Sequence, residues 1–230
     1  MTIILAIETS SETASCALLR DNAVISRVSS GVRTHSQAVL PMIQELLAEA
    51  GLSLADCDAV AYGSGPGSFT GVRTACGVAQ GLAFGGQLPA VPVVTLEAMA
   101  LACHQRHGAE QVLVVLDARM GEVYWAQYRF ENGRPVTLLP PVLSAPAEVR
   151  PEGVPVACGN GLSAYADAFP GGGHADIMPH AEQVAQLAAT AFAAGHTVTA
   201  AEAQPLYLRN KVAYTQAERR EMAATKGGGA

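Results

Sequence analysis

Residues 61–86 read AYGSGPGSFTGVRTACGVAQGLAFGG, and the elements on either side of this stretch decide the fold. Upstream, the short apolar run ending in DAVAY predicts a strand that enters the glycine-rich segment. Downstream, about Val72 to Phe84 predicts a helix. Gly63, Gly65, Gly67 and Gly71, interleaved with Ser64, Ser68 and Thr70, therefore form a strand-to-helix loop, where backbone N–H groups converge and anions are favoured. A phosphate cradle is one reading of that loop. A Walker A loop needs Gly-Lys-Ser/Thr, and here Val72 follows Gly71 with no lysine in the stretch. G-x-G-x-x-G counted from Gly65 meets Thr70 where its last glycine belongs, and the stretch holds no G-x-S-x-G elbow. A tight turn without a ligand stays open beside the cradle.

The helix itself carries Gly77, Gly81 and Gly85 at four-residue spacing, with Ala75, Ala79 and Ala83 between them. Each mid-helix glycine costs about 1 kcal/mol relative to alanine, so something must compensate. A smooth ridge lets another surface approach closely. That surface is either the protein's own sheet or a helix of a second chain.

Working outward, TIILAIETS is an apolar run closing on Glu8, Thr9 and Ser10, which predicts a strand buried on both faces. Two further strands follow around a turn at Asp21-Asn22. Over 36–50, Val39, Ile43, Leu46, Leu47 and Ala50 recur at helical spacing, with Pro41 in the first turns and Gly51 as the stop. AVPVV and then 95–106 read as strand and helix. This succession predicts mixed or parallel sheets flanked by helices. The second half begins like the first, with a strand closing on Asp117, a turn at Met120-Gly121, a strand, a hairpin turn at Asn132-Gly133 and another strand. The order of elements implies an internal duplication with a period of about 110 residues. Beyond the prolines at 140, 141, 146, 151 and 155 come a short strand within GVPVACGN and an alanine-rich helix within 180–196. The predicted domains are 1–108 and 109–215, followed by a charged, glycine-rich and disordered tail over 216–230.

Half of the 230 residues are hydrophobic, 15% are charged and 5% are aromatic, the composition of a compact globular protein with a core of Ala, Val and Leu. Fourteen basic against twenty acidic side chains give a net charge of −6, which argues against holding a polyanion such as tRNA unaided. The five cysteines are odd in number and form no C-x-x-C pair, so the expected compartment is a reducing cytoplasm. MTIILAIE lacks a basic leader region and no run reaches membrane-span length, so neither export nor membrane anchoring is expected.

Glu8 and Asp117, at strand ends, are candidates for a magnesium ion or a turn cap. His104 and His107 beside Cys103 have no partner cluster and read as solvated rather than as metal ligands. Ser10, Ser11, His35 and Asp117 have no triad-like spacing.

In order, ILAIETSSETASCAL, HSQAVLPMI, GSGPGSFTGVRTACGVAQGLA, TLEAMA and LDARMGEVYWAQY resemble the TsaB (YeaZ) family from residue 3 to about 128, more loosely to PLYLRNKVA. The resemblance implies two tandem actin-like, hexokinase-like ATPase domains of the ribonuclease H-like type. It also implies a role in making threonylcarbamoyladenosine at position 37 of tRNAs that read codons beginning with adenine. TsaB proteins look like degenerate relatives of the catalytic subunit TsaD, whose H-x-x-x-H metal pair aligns with Thr95 and Met99 here; neither side chain replaces an imidazole. No catalytic residue and no metal ligand is therefore expected. Glu8, Thr9, Gly65, Gly67, Ser68 and Thr70 remain as a residual nucleotide contact, with ATP or ADP at the interface with a partner. The family pattern implies a heterodimer with TsaD, joined by TsaE, with tRNA reached only through the complex. Val39, Ile43, Leu46 and Leu47 on the first helix, and Gly77, Gly81 and Gly85 on the second, are the expected interface, which a homodimer would also use. The rival reading is a small-molecule kinase or ATPase of the same fold, with Glu8 and Asp117 at a magnesium nucleotide. Metalloprotease activity has little to rest on without the histidine pair.

Overall fold

The computed structural model describes residues 2–29 and 35–209. Two mixed sheets carry the fold. The first has strands β1 (Ile3–Glu8), β2 (Ala14–Arg20), β3 (Ala23–Ser29), β4 (Ala59–Gly65) and β5 (Ala90–Val94) in the order β3-β2-β1-β4-β5. The second has β6 (Gln111–Arg119), β7 (Glu122–Glu131), β8 (Arg134–Ser144) and β9 (Val156–Cys158) in the order β8-β7-β6-β9. In both, the leading strand pairs antiparallel with the next and parallel with a strand reached through a crossover. The registers correspond, since Ile4 pairs with Ala59 in the first sheet and Val112 with Val156 in the second. The duplication read from the sequence is thus present as two tandem units of corresponding strand order.

Period-two alternation decides what each face of the first sheet meets. Leu5, Ile7, Val60 and Tyr62 face α1 (His35–Ala50) and α2 (Phe69–Gly86), while Ile4, Ala6, Ala59 and Ala61 face the opposite cover. α3 (Thr95–His107) and the one-turn α4 (Gly161–Ala164) lie against the second sheet. The opposite cover of the first sheet is α5 (Ala181–Ala193), through Ala181, Val184, Ala185 and Ala188. The covers are therefore exchanged: Leu96, Met99 and Cys103 of α3 pack with Val112, Val114 and Cys158 of the second sheet, and α5 returns to the first. The boundary at 108/109 separates the sheets but not their packing, because each sheet needs a helix from the other half to bury its second face. The predicted tail at 216–230 lies outside the described residues.

One expectation about α1 is overturned. Val39, Ile43 and Leu46, expected at a partner interface, are buried in the protein's own core against β2 and the α2 alanines, and Leu47 is half-buried. A helix on a sheet turns its strongest apolar stripe inward, so the residues with the clearest helical periodicity are the least available to a partner. The outward face carries Gln37, Leu40, Gln44 and Ala48, with Leu40 47% exposed. The predicted end at Gly51 holds, with φ +66° directly after Ala50. α2 runs two residues past the expected end at Phe84 and closes on Gln87 in the left-handed region. All five cysteines are free and buried, and no helix among the described residues is long and apolar enough to cross a membrane.

Candidate functional site

The glycine loop and the end of β1 meet as one solid joint. Ser68 caps α2, its side chain accepting the Gly71 N–H, and its own N–H donates to the Ser10 carbonyl at 2.7 Å. Thr9 donates its hydroxyl to the Gly71 carbonyl at 2.6 Å. A Cβ on Gly71 would stand 1.9 Å from the Thr9 carbonyl oxygen, one on Gly67 would stand 2.6 Å from that of Ser10, and one on Gly63 would stand 1.8 Å from the Glu8 carboxylate. Gly67 and Gly71 are accounted for by backbone lying on backbone, and Gly63 by the Glu8 side chain packed against it. Glu8, Thr9, Gly65, Gly67 and Ser68 are thus brought to one place, chiefly as the joint between β1 and α2, whereas Thr70 stands exposed in the first turn of α2.

Glu8 does not face open space. It is fully buried, accepting the Ser10 N–H at 2.5 Å and the Thr95 hydroxyl at 3.4 Å. Burial pushes its carboxyl above the usual range, opposed by those hydrogen bonds. Because the folded pKa lies above the unfolded one, the native state binds this proton more tightly. Stability is then fullest below the unfolded pKa and falls as pH rises through the interval above it. Glu8→Gln keeps the shape and is expected to flatten that slope, leaving the protein at least as stable at neutral pH. Urea unfolding of both forms at about pH 5 and about pH 8 measures it, and an unchanged pH slope would contradict this account of Glu8.

The pairing of Glu8 with Asp117 at a magnesium ion is also corrected. Asp117 lines the cleft between the sheets, whereas Glu8 is turned under the joint towards Gly63. The Asp117 carboxylate accepts the Arg119 N–H at 2.8 Å and the Tyr165 hydroxyl at 3.0 Å and pairs with the Arg119 guanidinium at 3.2 Å, so it organises the β6–β7 turn. Among the described residues no three of His, Cys, Asp and Glu gather as for a metal ion. His104 and His107 are not simply solvated: the first bonds the Ala109 carbonyl and stacks on Phe130, and the second stacks on His174.

The cleft, about 480 Å³, opens between the first turn of α2 and the β6–β7 turn. Its ionisable lining is Glu12, Asp117, Arg119 and Arg209, with the phenols of Tyr124 and Tyr207. Arg119 spans it, reaching Glu12 at 3.0 Å. Among the described residues the buried Ser10 hydroxyl has no hydrogen-bond partner within normal geometry. Sequence reasoning missed the segment that crosses this region. Over 203–209 the chain runs from the first sheet to the second: the Leu206 N–H donates to the Ser64 carbonyl, Tyr207 meets Arg73 and Phe69, and Arg209 donates to Glu122 at 2.6 Å and to the Arg119 carbonyl. Gly65, at φ +106°, lies beneath it, where a Cβ would meet the Leu206 carbonyl at 3.0 Å. The only sequence signal was the cluster PLYLR inside an otherwise polar end.

Comparison with known proteins agrees with this architecture. A family model described as TsaD, tRNA N6-adenosine threonylcarbamoyltransferase, matches residues 24–219. The Escherichia coli K12 protein named tRNA threonylcarbamoyladenosine biosynthesis protein TsaB is 43% identical, over 92% of this chain and 96% of its own length. The chain belongs to the TsaB (YeaZ) family. A TsaB of Haemophilus influenzae is 38% identical over 95% of this chain and 98% of its own. The solved structure of YeaZ from Pseudomonas aeruginosa superposes with a TM-score of 0.85 at 39% identity, covering 90% of this chain and all of that one.

In this TsaB-family chain Thr95 and Met99, the two positions that the resemblance sets against a histidine pair, are interior. Thr95 is fully buried and spends its hydroxyl on the Gly65 N–H and on Glu8, and Met99 is packed in the second core. The small residues of α2 divide into two stripes. Ala75, Ala79 and Ala83 are buried on the sheet, whereas Gly77, Gly81 and Gly85 are exposed, with no described residue within 4 Å of a Cβ added at any of them. The glycine ridge does not serve the protein's own sheet.

Proposed function

We propose that this TsaB-family chain is a non-catalytic subunit of a cytoplasmic complex that forms threonylcarbamoyladenosine at position 37 of tRNAs reading codons that begin with adenine. It acts by pairing with TsaD, joined by TsaE, and reaches tRNA only through them. The observation that carries the reading is the outward glycine ridge of α2 beside the exposed face of α1. Three helical glycines cost about 1 kcal/mol each relative to alanine and gain no contact among the described residues. Their return is sought in a helix of another chain approaching closely, as TsaD would, or a second copy through the same face. The interior use of Thr95 and Met99 supports a role without metal chemistry of its own.

A nucleoside triphosphate fits the cleft poorly on this reading. Glu8 is committed to the joint, and the two carboxylates and two guanidiniums of the lining cancel. Any ATP or ADP therefore belongs to the face shared with the partner. Reconstitution tests the proposal: TsaD, TsaE, tRNA and the threonylcarbamoyl donor are combined with and without the chain. Modified adenosine is expected only when the chain is added, and full modification without it would overturn the reading.

A further inference from the structure

Away from the cleft, a groove of about 790 Å³ opens between α3, α5, the edge strand β5 and the β7–β8 hairpin. Leu101, Leu187, Ala191, Pro92 and Pro135 give it apolar walls. Glu97, one turn before Leu101 on α3, lines the same space. Among the described residues its carboxylate makes neither a hydrogen bond nor an ion pair. Burial alone pushes its pKa up. The amides at the other end of the groove are already satisfied: Gln105 donates to Gln186 at 2.7 Å and accepts from Gln183 at 2.9 Å.

A carboxylate among apolar walls without a partner is costly when ionised, and a positive group brought to it removes that cost. Its place in the first turn of α3 favours the ionised form, because the helix dipole is positive there. We propose that this groove binds a small organic monocation, a primary ammonium group on an apolar body, with Glu97 as its counter-ion. The apolar walls bury the body, and one carboxylate in such surroundings is a poor ligand set for a bare hard cation. Arg134 on the hairpin and His196 after α5 are the other ionisable groups of the lining. The Arg134 guanidinium opposes a second positive charge, so a monoamine is preferred over a polyamine.

Phenethylamine is the probe, titrated into the full chain by calorimetry and by backbone NMR. Saturable binding is expected, with shifts at Glu97, Leu101, Leu187 and Ala191. Glu97→Gln weakens it by about tenfold or more, and 2-phenylethanol, of the same shape without the charge, binds the unmodified chain more weakly by about the same factor. Spermidine binds more weakly than phenethylamine. Thr190→Trp, at an exposed α5 position that lines the groove, abolishes binding of phenethylamine. Equal affinity for the amine and the alcohol, equal affinity in Glu97→Gln, tighter binding of spermidine, or no binding of phenethylamine would each overturn the proposal. The comparison of ligands needs no variant, so it stands even if a substitution perturbs the fold.

Discussion

Gly71→Ala is expected to destabilise the protein by about 3 kcal/mol, whereas Gly77→Ala, two turns along the same helix, is expected to stabilise it by about 0.5–1 kcal/mol. The opposite signs follow from what surrounds each position. A Cβ at Gly71 would drive into the Thr9 carbonyl at 1.9 Å, and neither side of that contact is a flexible side chain. The Thr9 hydroxyl bond to the Gly71 carbonyl pins the two segments together. Gly77 is exposed with no described residue within 4 Å, so alanine only removes the glycine penalty. Urea unfolding at constant m-value measures both. Equal shifts would mean that the joint between β1 and the loop is looser than described.

Ile43→Glu is expected to cost about 4 kcal/mol or more, a large part of the stability of an ordinary domain, while Leu40→Glu one turn earlier changes stability by less than about 0.5 kcal/mol. Ile43 is buried beneath α1, where a carboxylate would find no partner, and Leu40 stands on the outer face. Pairing with TsaD should respond in the opposite order. Leu40→Glu weakens it in a chain that remains folded, whereas Ile43→Glu acts through loss of the fold. Thermal unfolding followed by circular dichroism separates the two, and a fully stable Ile43→Glu would overturn the packing assigned to α1.

The elements were legible because their signals are local. The apolar run of β1, the Asn132-Gly133 hairpin and the alternation of α2 alanines and glycines each carry their own periodicity or turn chemistry. The duplication was legible for the same reason, as a repeated order of such elements. Periodicity says which face of a helix is apolar but not what covers it, so the partner surface implied by the resemblance falls on Val39, Ile43 and Leu46, which the sheet claims. The exchange of α3 and α5 between the sheets depends on contacts far apart in sequence. So does the crossing of Leu206, Tyr207 and Arg209 over the glycine loop, which joins residues more than a hundred positions apart with no regular pattern. The glycine loop looked like an anion site because the same residue serves two ends: freeing N–H groups for a ligand, and letting two backbones touch. Only the position of Thr9 and Ser10 against Gly71 and Gly67 separates them.

The central claim is that the α2 ridge is kept bare for another chain. Gly81→Leu tests it most directly, with affinity for TsaD measured by calorimetry and stability measured on the same preparation. The ridge position is open, so the leucine variant is expected to be at least as stable as the parent chain, while its affinity for TsaD falls by about tenfold or more. A variant that binds TsaD as tightly as the parent chain would contradict the account.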